Sequence, residues 1–169
     1  MAGIKVSPRS LRDIRRIARN VREILGYETD GRIDIVRLLE HRLGRIGLEY
    51  EIKLASEMGS KHGETYLDQD KILIREDVYN NACKGSGRDR LTIAHEIGHF
   101  ILHRASDISL ARDTDEEVKP FEDPEWQANA FAGELLAPYE FVKGKNVFDV
   151  SKIYGVSEKA ASIQCNRKR

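Results

Sequence analysis

The sequence predicts an α+β domain: N-terminal helices, a small antiparallel sheet, then helices again towards the end of the chain. Two changes of period predict it. Apolar residues recur three and four apart over 10–43 and from Leu91 onward, but alternate between Ile46 and Glu76. Composition is the third observation. A chain of 169 residues, 40% hydrophobic and 33% charged, has the length of one ordinary domain and the balance of a globular chain. That balance excludes the disordered and fibrous classes.

The first helix is expected over 10–25, with Leu11, Ile14, Ile17, Ala18, Val21, Ile24 and Leu25 on one face, arginines elsewhere and Gly26 as its stop. A second covers 33–43, carrying Ile35, Val36, Leu38, Leu39 and Leu43, with Gly44 behind it. In "IGLEYEIK" (46–53) Leu48, Tyr50 and Ile52 alternate as in a strand. Strands follow at "GETYLD" (63–68) and "KILIRE" (71–76), joined by a tight turn at Asp68, Gln69 and Asp70. The Gly, Asn and Ser of "NNACKGSGRDR" (80–90) read as a loop. Helical period returns over 91–103, and the polar, acidic residues 105–124 read as a surface crossing. "PEWQANAFAGELLAP" (124–138) is a helix with Pro124 in its first turn and Pro138 as its stop. Two short helices around Gly155 follow, with Ser157 as an N-cap. The expected division is a domain over 1–138 and a short C-terminal helical appendix over 139–169.

Charge narrows the partners. The 28 basic and 28 acidic residues cancel, so no global field favours nucleic acid or a membrane surface. The terminal "NRKR" reads as a solvated charge run, and direct nucleic-acid binding is not expected. No apolar run approaches the roughly 20 residues of a membrane span, and the first residues do not resemble a signal peptide. Cys83 and Cys165 lack CxxC spacing and read as reduced thiols of a cytoplasmic protein.

The chemistry is concentrated in "AHEIGHFILHR" (94–104), which holds three of the five histidines. His95 and His99 stand one helical turn apart on one side, so both imidazoles can reach one zinc ion at about 2.0–2.1 Å. Glu96 flanks that position without being a ligand, where its carboxylate can move protons for water activated by the metal. This is the HExxH arrangement of metallopeptidases. The alternative for the same spacing is an amphipathic helix whose histidines only pack. His103 lies about 12 Å along the axis from His95, beyond reach of the same ion on a straight helix, and is expected beside the ligands or in the core. An acidic third ligand is better sought on helix 124–138, where Glu125 is the leading candidate. Glu122 and Glu134 are its rivals, Glu134 pointing about 180° away from Glu125. Asn129, four residues after Glu125, is placed to orient a ligand. Ala128 and Ala132 would let two helices approach closely.

"RLTIAHEIGHFILH" followed by "EWQANAFAGELLAP" resembles the ImmA/IrrE family of zinc metallopeptidases, whose pattern is a TxAHExGHxxLH helix and then an ExxANxFAxxLLxP helix. The resemblance implies a gluzincin-like site: zinc on His95, His99 and Glu125, with Glu96 as general acid and base. Manganese or iron are the competing metals. It implies a substrate held as an extended strand against the hairpin, and "GVSEKAA" resembles the family's helical appendix, although Gln164 and Cys165 stand where an Arg-Leu pair is frequent. By the same resemblance the expected function is a cytoplasmic endopeptidase. Its substrate would be a helix-turn-helix (XRE-type) repressor on a mobile element or at a stress or toxin–antitoxin locus. The alternative is a non-proteolytic regulator that binds such a repressor around a structural or vestigial metal. Tyr66, Tyr79, Tyr139 and His103 are candidate donors to an oxyanion.

Overall fold

Ser10 and Asp13 open the first helix, α1 (Leu11–Ile24), with a reciprocal capping box: Ser10 Oγ accepts from Asp13 N at 3.1 Å and Asp13 Oδ2 accepts from Ser10 N at 3.3 Å. The computed structural model describes residues 4–27, 31–103 and 118–167. Its buried stripe on α1 is Ile14, Ala18 and Arg22, whereas Ile24, expected inside, is 81% exposed. Arg22 takes the inner position because its guanidinium donates to the carbonyls of Leu135 at 2.7 Å and Gly31 at 3.0 Å. Leu135 O lies in the last turn of another helix, where carbonyls need donors. The second helix, α2 (Ile35–His41), starts on the Asp34 cap and is shorter than expected; a 3₁₀ turn, Leu43–Ile46, takes over its end.

The sheet corrects one expectation. Strands β1 (Glu49–Lys53), β2 (Gly63–Tyr66) and β3 (Lys71–Arg75) lie in the order β1-β3-β2. The β2–β3 hairpin is antiparallel, with Asp70 at φ 48° in its turn, a conformation Asp tolerates. β1, however, runs parallel to β3, Glu49 opposite Lys71, so the sheet is mixed rather than antiparallel. The connection through the one-turn helix α3 (Ala55–Met58) carries the chain past the place of the central strand. The returning strand then fills that place running the way β1 runs. Ile72 and Ile74 alternate inward from β3.

Most of the expected loop 80–90 is helical. α4 (Glu76–Cys83) continues β3 directly, and α5 (Gly87–Leu102) begins four residues before Leu91. Val78 and Ala82 are buried, and Ser86 caps α5. The polar composition of this stretch therefore reflects one helix end meeting the next. Of the crossing over 105–124, residues 105–117 lie outside the described residues. Its final part forms a 3₁₀ turn, Pro120–Glu122, where Phe121 and Glu122 accept from Arg9 N and Val6 N at 2.9 Å each. α6 (Pro124–Leu136) starts on the Asp123 cap. Past it come α7 (Tyr139–Val142), α8 (Val147–Tyr154) and α9 (Glu158–Asn166), one helix more than expected among the described residues. Gly155 is left-handed at the end of α8, and Ser157 Oγ accepts from Ala160 N at 3.2 Å.

The core is continuous from Ile14 through Ile97 and Phe131 to Tyr154, Ala161 and Cys165, so the last helices share the interior of the first. Gln164 is buried in it, donating to Ala137 O at 2.9 Å and accepting from Arg167 at 2.8 Å. No described helix is long and apolar enough to cross a membrane.

Candidate metal centre

The histidine helix and the next long helix meet where both carry small residues. A methyl group on Gly98 would stand 3.0 Å from Phe131 Cδ1 and 3.2 Å from Ala128 O, so α5 and α6 touch there almost backbone to backbone. That approach carries Glu125 to the two imidazoles. His95 Nε2 lies 3.2 Å from Glu125 Oε2, His99 Nε2 lies 3.2 Å from Oε1, and the two Nε2 atoms are 2.9 Å apart. Donors about 2.0–2.1 Å from a tetrahedral zinc sit about 3.3 Å from one another, so these three atoms fit a single ion. They could hold a metal between them, and Glu122 and Glu134 are not part of that group. Glu134 is buried elsewhere, accepting from Arg15 Nε and Tyr139 N at 3.1 Å each. Three donors would leave a tetrahedral metal's fourth position open, the ligand count of catalytic rather than structural zinc sites. The 65% exposure of the Glu125 side chain opens that side to solvent.

Each of the two histidines has a neighbour behind it. Asn129 Oδ1 is 3.0 Å from His95 Nδ1. His103, 1% exposed, has its Nδ1 3.1 Å from His99 Nδ1 and its Nε2 3.1 Å from Gln127 Oε1. Gln127 did not stand out in the sequence. Its only signal was a polar residue on a helix side otherwise filled by Ala128, Ala130 and Phe131, all wholly buried with it.

Glu96 points to another support. The edge strand β2 crosses α5 so closely that a methyl on Gly63 would fall 2.7 Å from Glu96 Cγ. Two residues on, Thr65 Oγ1 donates to Glu96 Oε2 at 2.6 Å and lies 3.1 Å from the Glu96 carbonyl. Nothing in the sequence paired Thr65 with Glu96, because that contact is made across the hairpin. Burial pushes the Glu96 carboxyl above its ordinary value, against the Thr65 hydrogen bond and the nearby imidazoles. Glu125 is driven the opposite way, held well below the usual carboxylate range by hydrogen bonds from His95 and His99. Burial opposes charging His95, but its bond to Glu125 and the charges of Glu96 and Glu125 leave its pKa raised. Burial and the adjacent His99 push His103 down to about 4.

The other sequence candidates are engaged elsewhere. Tyr79 bonds Glu40, Tyr66 donates to Glu64 at 3.0 Å, and the Tyr139 ring lies under Arg15 at 4.2 Å. Cys83 is free and exposed at the end of α4.

An α+β domain that brings an HExxH helix against a second helix bearing an acidic ligand candidate is metallopeptidase-type in both fold and site. The chain belongs to the IrrE N-terminal-like domain family (Peptidase_M78), whose family model matches residues 49–166. Among solved structures it is similar to a Mycobacterium tuberculosis transcriptional regulator, at 18% identity and a TM-score of 0.58. That match covers 88% of this chain and 45% of the other, so the chain spans under half of that neighbour's length. At that identity the likeness shows a shared fold. None of the curated proteins matches the chain.

Proposed function

We propose that this chain is a zinc-dependent endopeptidase of the cytoplasm that cleaves a helix-turn-helix DNA-binding repressor. The observation that carries the reading is Glu96. It is a buried carboxylate beside the ligand group yet outside it, tied to the sheet edge and shifted upward in pKa. A purely structural metal site has no use for such a group.

Zinc, when bound, acidifies water and polarises a carbonyl, and manganese or iron fit the same donors less specifically. His95 and His99 would hold the ion through Nε2, and Glu125 through its carboxylate. Glu96 would accept a proton from the attacking water and return it to the leaving amine, a cycle served by a pKa lifted towards neutrality. β2 is an edge strand next to Glu96, so an extended segment can add to it by backbone hydrogen bonds and lie across the site. The repressor as substrate follows from the family resemblance, and the structural neighbour, a transcriptional regulator, agrees with a regulatory setting.

The test pairs metal content with cleavage of a repressor encoded beside this chain. About one zinc per chain is expected in the wild type and in Glu96→Gln, with cleavage lost by at least about 10²-fold in Glu96→Gln. His99→Ala and Glu125→Ala should lose the metal itself. Zinc retained by all three variants would sink the ligand assignment. A repressor bound but never cut by the wild type would shift the reading to a regulator that acts by binding.

A further inference from the structure

Two ladders of side chains run next to each other from the candidate metal centre. On α5, His99, His95 and Leu91 follow at one-turn intervals, and on α6 Glu125, Asn129 and Gly133 do the same. His99 meets Glu125 and His95 meets Asn129, so Leu91 and Gly133 form the next step along that face. There the surface opens into a cavity of about 640 Å³, which Asn129, Leu91 and Gly133 all line. Its far wall is α9. A methyl on Gly133 would stand 2.8 Å from Gln164 Oε1, and the buried Gln164 donates to Ala137 O at 2.9 Å, so this wall is held tightly against α6. α9 turns Ala161 and Cys165 into the core and lays Ala160 and Ile163 along the cavity, Ile163 being 50% exposed. The charge of the lining is one-sided. Arg88, Lys159 and Arg167 line the cavity, and among the described residues no carboxylate does. Arg167 is occupied, donating to Gln164 Oε1 at 2.8 Å and lying 3.7 Å from Glu134. Arg88 and Lys159 are exposed and form no ion pair among the described residues.

We propose that this cavity is a specificity subsite: it takes an aliphatic side chain of a peptide lying across the metal centre, while carboxylates on the flanking residues meet Arg88 and Lys159. On the peptidase reading above, which this subsite deepens and on which it rests, the favoured substrate is an acidic segment around an aliphatic residue. The aliphatic group covers Leu91 and Ile163, apolar surface that water otherwise wets. The two cations attract an acidic segment and repel a basic one, so the same pair selects and rejects. A basic arm of the kind that meets nucleic-acid phosphates is therefore the wrong part of a DNA-binding protein for this site.

Short fluorescent peptides that differ in one tripeptide, Glu-Leu-Glu, Glu-Ser-Glu or Lys-Leu-Lys, test the subsite by anisotropy. They are titrated with the zinc-loaded Glu96→Gln chain, which holds peptide without cutting it, and with the metal-free wild type. Glu-Leu-Glu should bind about 10-fold more tightly than either of the others. Reversing both cations, Arg88→Glu with Lys159→Glu, should reverse the order of Glu-Leu-Glu and Lys-Leu-Lys. Ile163→Asp should weaken Glu-Leu-Glu about 10-fold. All three side chains are exposed, so these substitutions leave the core intact. Equal affinities, no binding of any peptide, or an order that survives the charge reversal overturns the subsite. So does displacement of the peptide by a mixed-sequence oligonucleotide as readily as by unlabelled peptide, or a dimer that Ile163→Asp dissolves, which would give the cavity to nucleic acid or to a second copy of the chain. A wild type that shows the preference yet cuts neither these peptides nor a repressor refutes the peptidase reading alone. A wild type that cuts a repressor and shows no preference refutes the subsite alone.

Discussion

Glu96 and Glu125 flank the same two imidazoles, yet their surroundings drive them to opposite behaviour. Glu125 is open to solvent and held ionised by hydrogen bonds from the histidines, as a metal ligand must be. Glu96 is buried and raised, as a group that takes and returns a proton should be. Thr65 tempers the rise, because its hydroxyl bonds the ionised carboxylate. Thr65→Val removes that bond and should lift the Glu96 pKa further. The acid limb of the pH–rate profile should then move to higher pH, since Glu96 stays protonated over more of the range. A limb that stays in place, or moves to lower pH, would show that Glu96 is not the group that limits activity in acid. The motif residues at this scale were legible because a helix places i and i+4 together whatever surrounds it. Thr65 and Gln127 were not, because their partners are fixed only by the folded arrangement of other elements.

At the scale of elements, the approach of α5 to α6 sets the ligand geometry. Gly98 is where it is tightest, with Ala128 backbone and the Phe131 ring against it. Gly98→Val should push the helices apart, at a cost of about 1–3 kcal/mol of stability from overpacking. The same displacement draws Glu125 away from His95 and His99, so zinc affinity should fall along with Tm. Chelator competition beside thermal unfolding measures both. A drop in Tm with zinc affinity intact would mean the helix spacing is not what holds the three donors together. Both helices were visible in the sequence as long apolar periodicities, α6 also by the prolines at its two ends. The strand order was not, because which strand becomes central depends on contacts distant along the chain. The stretch 80–90 was misread because its Gly, Asn and Ser serve the ends of two helices with three residues between them.

Over the whole molecule, His103 is one buried group that makes stability respond to pH. His103 titrates near 4 in the folded chain, against about 6.5 when exposed. Between those values the unfolded chain binds a proton that the folded chain refuses, so unfolding is favoured as pH falls. The metal-free protein should lose up to about 3 kcal/mol through this group between pH 6.5 and pH 4. His95, whose pKa is raised, contributes in the opposite sense, with stability present in acid and lost as pH rises through its folded value. Denaturant unfolding across that range, wild type beside His103→Leu, isolates the His103 share, and equal pH slopes for the two would refute it. Long side chains knit the same whole. Arg22 reaches from α1 to the end of α6, and Arg90 reaches from α5 to the carbonyls of Tyr154, Gly155 and Ile33. The continuous core was legible as periodic apolar residues, whereas Arg22 reads from sequence as lying off the apolar face and nothing there singles out Arg90.

The ligand group and Glu96 lean on separate supports: the former on the α5–α6 contact, the latter on β2, a four-residue strand at the sheet edge. Short edge elements open more readily than packed helix pairs. Peeling β2 away would release Glu96 from Thr65 and leave the three metal-facing atoms where they are. On the peptidase reading proposed above, a partner that pries β2 away would remove the proton-handling carboxylate while leaving the three ligand candidates in place.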